Sequence, residues 1–442
     1  MNKRKVLLWS VVVALGGFLF GFDTAVISGA EQAIQQYWNL SPAAHGLTIS
    51  IALVGTIIGS LIGSYPSDRL GRRATLVIIA VLYLVSSIGT AVATHWYVFL
   101  AFRLLGGLGV GASSVAAPVY ISEIAPAEKR GRLVTLFQLN IVFGILFSYF
   151  SNYLIGQEGE TSWRWMLGVQ AFPALLFFVL LQMVPESPRW LIVKKGKIAE
   201  ATIALQVINP ANFSEVVERI KHSGSEERFS GKPGPLLSRR YRLPLFLALA
   251  FAVFNQVSGI NAIIYYAPRI FEMTGLGRGS SLLSTVGIGA VNCLFTLVAM
   301  GFIDRFGRRK LMLIGSVGLI VTLALVAAAF YRHDFGGYAV TVYLLLFIAC
   351  FAFSQGAVIW VFISEIFPNE VRARGQTLGS ATHWVMAALV AFAFPLLAEK
   401  LGGGPTFLFF SLMMVLQLLF VWKFMPETKG RSLEQIEGSL VP

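Results

Sequence analysis

DRLGRR at residues 68–73 and DRFGRR at residues 304–309 are nearly the same six-residue phrase written twice, 236 positions apart. Two further pairs keep almost that offset. ISEIAPAEKRGR, starting at 121, returns as ISEIFPNEVRARG, starting at 363, and PESPR at 185 returns as PETKG at 426. Measured on Glu123 and Glu365, and on Glu186 and Glu427, the offsets are 242 and 241. Three pairs in one order at nearly one spacing indicate an internal duplication, and the period of such a repeat decides the architecture.

Each copy contains six apolar runs. They lie near 6–30, 46–66, 74–94, 97–121, 133–155 and 164–184, then 243–268, 280–302, 311–331, 338–363, 375–398 and 405–422. Each is close to the roughly 20 residues that cross a hydrocarbon core of about 30 Å as helix. The runs are continuously apolar instead of alternating, which excludes barrel strands, and backbone groups in lipid then pair within each span. The composition agrees: 56% of the 442 residues are hydrophobic and 13% are charged, about half the charged share of a soluble domain. The expected fold is an all-α membrane protein with twelve transmembrane helices in two bundles of six.

The net charge of +13 invites a nucleic-acid reading, but its distribution argues against one. With the N-terminus inside, 29 of the 35 Lys and Arg residues fall in cytoplasmic segments, 5 fall in outer loops, and Arg103 lies within a span. The positive-inside rule therefore places both termini in the cytoplasm. MNKRK followed by an apolar run also resembles a signal peptide, yet the run exceeds the usual 7–15 residues. Cys293 and Cys350 read as small packing residues within spans. No metal-ligand cluster and no phosphate-binding glycine loop ahead of GK[ST] is present, so neither metal nor cofactor is expected.

Between the copies, residues 185–242 are far more polar. KIAEATIALQVI and FSEVVERIKH set apolar residues at helical spacing, which predicts short amphipathic helices on the cytoplasmic face; a partly disordered linker is the alternative. The expected division is 1–190 as one bundle, 191–240 as linker and 241–442 as the second bundle.

In chain order, GFDTAVISG, DRLGRR, RLLGGLGVG, PESPRW, QVSGINAIIYY, DRFGRR and PETKG resemble the sugar porter family of the major facilitator superfamily. The resemblance covers nearly the whole chain. It implies two six-helix bundles rocking around a central sugar site, with charges at the cytoplasmic face acting as a latch. On this sequence the latch set is Asp68, Arg72, Arg73, Glu123, Arg130 and Glu186, then Asp304, Arg308, Arg309, Glu365, Arg372 and Glu427. Surface pairs worth about 0–1 kcal/mol each are the plainer reading. The family glycine four residues before Asp68 is Ser64 here.

Gly55, Gly59 and Gly63 form a small-residue stripe on the second span, and GGLGVGAS at 106–113 does the same on the fourth, for close helix packing. Among the charged residues, only Asp23 and Arg103 fall well inside the expected spans. Counting from the outer ends at roughly 1.5 Å per residue, both lie about 10 Å deep, so they can pair. Ionisable residues at such depth mark ion paths. A carboxylate in low dielectric holds its proton more tightly and a nearby guanidinium loosens it, so moving Arg103 can switch Asp23; a static pair is the alternative. Proton-coupled sugar porters resemble this chain in carrying both residues.

A neutral polyol needs hydrogen-bond partners and an aromatic wall. Asn255, Gln256, Asn261, Tyr265 and Tyr266 come from span 7, where Gly259 can break the helix. Gln138, Asn292, Trp360, His383 and Trp384 come from spans 5, 8, 10 and 11, and Phe20 from the first. By resemblance, Gln138, Gln256, Asn261, Asn292 and Trp360 match sugar contacts and the tyrosines match an outer gate. The family usually has a second glutamine where Asn255 stands, and His383 occupies a site more often filled by an amide. The resemblance thus implies a symporter of a monosaccharide, hexose or pentose, with a proton. It sits in the inner (plasma) membrane, binds lipid, sugar and proton but no nucleic acid, and works as a monomer. A uniporter without proton coupling and a non-transporting sugar sensor are the alternatives; an enzyme is not expected.

Overall fold

Continuously apolar sequence gives a backbone in lipid no partner but itself, and helix is the local solution. The computed structural model describes residues 3–125, 130–156, 159, 161–208, 210, 212–229, 236–368, 371–430 and 435. In chain order its helices are α1 (Lys3–Tyr37), α2 (Pro42–Ile62), α3 (Ser64–Leu70), α4 (Arg72–Val92), α5 (Trp96–Ile124), α6 (Arg130–Ile155), α7 (Ser162–Gly168), α8 (Ala171–Leu181), α9 (Pro188–Lys195), α10 (Ile198–Ile208) and α11 (Phe213–Phe229). They continue with α12 (Arg242–Val257), α13 (Ile260–Met273), α14 (Arg278–Phe306), α15 (Arg308–Arg332), α16 (Ala339–Phe353), α17 (Gln355–Glu365), α18 (Arg372–Leu401) and α19 (Gly403–Phe424).

Among the described residues, 12 helical stretches are long and apolar enough to cross a membrane, as expected from the twelve runs. Three of them are broken: α7 with α8, α12 with α13, and α16 with α17. Their outward surfaces stay apolar, with Phe172 74% and Trp165 71% exposed, which suits lipid and not water. The polar stretch after residue 185 forms α9, α10 and α11, and α10 buries Ala201, Ala204, Leu205 and Ile208, one face at helical spacing.

The chain packs as two compact units. Unit 1 comprises Met1–Val26, Val54–Ser148 and Arg164–Lys232; unit 2 comprises Ile27–Leu53, Tyr149–Trp163 and Pro233–Pro442. Compactness therefore divides α1, α2, α6 and α7 part-way along, whereas the repeat divides the chain at 190 and 240. The bundle boundaries read from the repeat remain a proposal about evolutionary halves. Within unit 2, Phe251 packs edge-on against Phe362 at 5.0 Å and Phe420 at 5.3 Å.

In unit 1 the glycine stripe brings α2 onto α5 at backbone distance. A Cβ on Gly59 would lie 2.3 Å from the Leu108 carbonyl oxygen, and one on Gly55 the same distance from that of Leu104. Replacing Gly59 with valine is expected to destabilise unit 1 by about 3 kcal/mol, since backbone must yield and not a side chain. Thermal unfolding followed by loss of the helical circular-dichroism signal would show a lower midpoint; an unchanged midpoint contradicts the contact.

Candidate functional site

In unit 1, α1 carries Asp23 and α5 carries Arg103. Arg103 Nη1 donates to Asp23 Oδ1 at 3.2 Å, and both side chains are buried. Gly106, one turn on from Arg103, makes the room: a Cβ there would stand 2.5 Å from Ser86 Oγ and 3.3 Å from Asp23 Oδ1. The structure thus joins the two residues that the sequence placed at one depth. Phe20 is buried in the same unit and Gln138 is exposed.

In unit 2 the amides of the seventh span form a chain. Val257 ends α12, Gly259 takes φ +84, and α13 restarts at Ile260, so the break that Gly259 permits is present. A Cβ on Gly259 would meet the Phe410 ring at 2.5 Å, a second reason for glycine. Across this break Asn261 Nδ2 donates to Gln256 Oε1 at 2.6 Å, and Gln256 Nε2 donates to Asn255 Oδ1 at 2.8 Å. The same Gln256 nitrogen lies 3.2 Å from both ring nitrogens of His383 on α18. A neutral imidazole has one acceptor nitrogen, so only one of these approaches is a full hydrogen bond. His383 is flanked by Trp360 at 4.7 Å and Trp384 at 4.9 Å between ring centroids. Amides beside two indoles and an imidazole make a surface that offers donors, acceptors and aromatic faces together, which is what a polyol requires.

Not every expected residue joins this group. Asn292 on α14 is half-buried, with no contact to the amide chain described. Tyr265 and Tyr266 are buried, and Tyr266 donates to the Ala391 carbonyl at 2.8 Å. Tyr266 departs from helical backbone (φ −123, ψ 15) just before Pro268, whose ring cannot donate to the Ile264 carbonyl. Tyr149 fills that role, its hydroxyl donating to Ile264 O at 2.9 Å. The sequence reading missed Tyr149; the proline four residues after a carbonyl in an apolar span was the available signal.

The basic loops repeat in geometry as they do in sequence. In unit 1, Arg72 Nε donates to Glu123 Oε2 at 3.0 Å and its Nη1 to Asp68 Oδ1 at 3.0 Å. Glu186 accepts the backbone N–H of Arg72 at 2.9 Å and of Arg73 at 3.1 Å, a carboxylate seated on the N-terminus of α4. In unit 2, Arg308 Nη2 donates to Glu365 Oε1 at 2.8 Å, and Glu427 accepts from the N–H of Arg308 at 2.9 Å and of Arg309 at 3.1 Å. Both seats depend on a glycine at positive φ, Gly71 at +110 and Gly307 at +87, where a Cβ would strike the acid at 2.3 Å and 2.5 Å. Arg372 donates to the Phe367 carbonyl. The side chains of Arg130 and Asp304 lie outside the described residues. These pairs are all internal to one unit; a latch between halves is a separate proposal.

One charged group was absent from the sequence census. α1 runs seven residues beyond the expected end at 30, and Glu31 on that extension is fully buried. Arg269 on α13 grips it through Nε at 2.9 Å and Nη2 at 2.7 Å, and His45 Nε2 lies 2.6 Å from Glu31 Oε2. Glu31, His45 and Arg269 all belong to unit 2. Ile27, Ala30 and Ile34, buried at helical spacing, were the sequence signal that the helix continues.

Comparison with known proteins gives one consistent picture. Residues 9–440 match the family model described as "Sugar (and other) transporter". The arabinose-proton symporter of Bacillus subtilis (strain 168) is 39% identical, covering 98% of this chain and 94% of that protein. The D-xylose-proton symporter of Escherichia coli (strain K12) is 37% identical over 100% of this chain and 97% of its own. The solved inward-open conformation of the xylose transporter XylE from E. coli is similar at a TM-score of 0.86 and 35% identity, covering 98% of this chain and 99% of that one.

Proposed function

The chain belongs to the sugar transporter family of multi-pass membrane proteins, and on that premise we propose that it carries a monosaccharide, hexose or pentose, together with a proton by alternating access. The observation that carries the proton part is the buried Asp23–Arg103 pair. Moving a carboxylate and a guanidinium out of water is costly unless they pair, and such residues inside a span mark a route for ions. Asp23 takes up the proton, and Arg103 competes with that proton for the same oxygen. Relatives named as proton symporters at 37% and 39% identity support the reading.

The sugar is assigned to the amide chain Asn255, Gln256 and Asn261 with His383, Trp360 and Trp384; Phe20, Gln138, Tyr265 and Asn292 are the further proposed contributors. By the positive-inside rule the basic loops face the cytoplasm of the inner (plasma) membrane, with both termini there. The latch set then lies on the cytoplasmic side, where the charges described in each unit are proposed to meet across the halves in one stage of the cycle. The proposed working form is a monomer.

Purified protein in proteoliposomes, offered a panel of labelled hexoses and pentoses with and without an imposed proton gradient, tests the function. Uptake of at least one sugar above its external concentration, dependent on the gradient, is expected. Equilibration without accumulation for every sugar that enters would leave a uniporter.

A further inference from the structure

At the end of unit 2 remote from its basic loop, the segment α13 is set apart from its neighbours by two irregularities. Gly259 breaks it from α12, and Tyr266 and Pro268 kink it before its last turn. Breaks of this kind are where a helix can swing. What fixes the last turn is ionic. Arg269 holds Glu31 of α1 with a two-pronged grip and also donates to Gln35 Oε1 at 2.5 Å. His45, from the start of α2, completes the cage around Glu31, and its ring stands 6.0 Å from that of Tyr266. Because an ionised carboxylate only accepts, Nε2 of His45 is the donor, and its Nδ1 is buried without a hydrogen-bond partner among the described residues.

A buried ion pair is a poor way to gain stability, since apolar residues of equal size do as well or better. It is a good way to build a contact that must be made and broken. Parted ions regain their hydration, so the closed and open states stay close in free energy, while parted apolar faces would gain nothing. A cavity of about 330 Å³ lies on the neighbouring faces of the same two helices, lined by Ser28, Gln32, Gln36, Pro268, Glu272 and Arg278; Gln32 and Pro268 are the chain neighbours of Glu31 and Arg269.

We propose that Glu31 and Arg269 are the breakable bolt of the outer gate. Paired, they fasten the outer ends of α1 and α2 to α13; parted and hydrated, they release α13 so that the outer side opens. His45 and Gln35 are positioning residues that orient the two ions for the grip. The inference rests on the transport reading for the sidedness and the cycle it serves, and its test does not require transport.

Spin labels at Ala43→Cys on α2 and Met273→Cys at the end of α13, both exposed positions, report the gate by pulsed electron resonance distances in lipid nanodiscs. The background is Cys293→Ser with Cys350→Ser, which removes the free thiols. The parent is expected to populate mainly the short distance. Glu31→Gln leaves the half-buried Arg269 without its carboxylate, and Arg269→Gln leaves the buried Glu31 with His45 alone; each is expected to lower the closed-to-open ratio about a hundredfold. The double variant leaves neither ion and is expected to return within about tenfold of the parent. A purely structural pair would lower thermal stability and leave the distances alone. Should either neutral variant fail to fold, Arg269→Lys keeps the charge and loses the fork, with an expected shift of about tenfold.

Unchanged distances in the variants, a double variant that opens as far as the two single ones combined, or a parent already mainly open would each overturn the bolt. The same preparations, reconstituted for uptake, separate this outcome from the transport reading. A parent that moves no sugar while its gate still follows the charge pair would sink the transport reading and keep the bolt.

Discussion

Asp23→Asn is expected to abolish uphill sugar accumulation while sparing exchange of sugar across the membrane. Asparagine keeps the shape of the side chain and an oxygen toward Arg103, so the path for sugar is retained. It cannot bind and release a proton, so the sugar movement loses its link to the gradient. One proton crossing 100 mV contributes about 2.3 kcal/mol, enough for roughly fifty-fold accumulation of a neutral solute at about 1.4 kcal/mol per tenfold. The variant should therefore fall from about fifty-fold accumulation to equal concentrations on both sides. Counterflow, in which unlabelled sugar inside draws labelled sugar in, should persist and serves as the control for folding, since the substitution leaves Arg103 buried without its counter-ion. Undiminished accumulation would sink the assignment of Asp23, whatever happened to exchange.

The second large effect is expected at Gln256. Its side chain is the middle of the amide chain: its oxygen accepts from Asn261 and its nitrogen donates to Asn255, with His383 alongside. Gln256→Leu keeps much of the volume and removes both ends of the link. Each partner left unsatisfied in a buried place costs about 1–3 kcal/mol, and a lost direct contact to the sugar about 1 kcal/mol more. Some of that cost falls on the free protein as well, so the net loss on binding is expected near 2.7 kcal/mol, about a hundredfold in Kd. Trp360 and Trp384, each within 5 Å of the His383 ring, supply an intrinsic fluorescence signal for the titration. An affinity within threefold of the parent would remove Gln256 from the binding surface.

The parts legible in the sequence are those that rest on local or repeated pattern. Twelve apolar runs became twelve candidate spans, Gly259 became a helix break, and the stripe at Gly55 and Gly59 became a backbone contact. Asp23 and Arg103 were matched by counting residues along two helices. The part that escaped was the polar extension of α1, because Glu31, Gln32, Gln35 and Gln36 look like a loop when lipid is assumed to be the only apolar surrounding. One face of that segment, with Glu31 and Ile34, is buried by protein, where a carboxylate can be met by Arg269 and His45, and no count of hydropathy contains those partners. The mutual bonding of the amides was illegible for a related reason. Asn255 and Gln256 are neighbours in sequence, but the direction in which Gln256 turns depends on Asn261 beyond the break and His383 on another helix.

The seats of Glu186 and Glu427 have a consequence for the order in which the protein is made. Arg72 and Glu186 are 114 residues apart, and Arg308 and Glu427 are 119 apart. At about 5–20 residues per second, a ribosome finishes each basic loop on the order of ten seconds before the acid that will cap it exists. For that interval the N–H groups that the acid will cap stay open, while the basic side chains serve the proposed orientation as a topology signal, Arg72 having Asp68 four residues before it and meeting Glu123 51 residues later. When the acid arrives it closes the unit and the same arginines become masonry. The repeated motif is thus read twice in the life of each molecule, first as an address and then as a joint, and a substitution there can spoil either reading independently of the other.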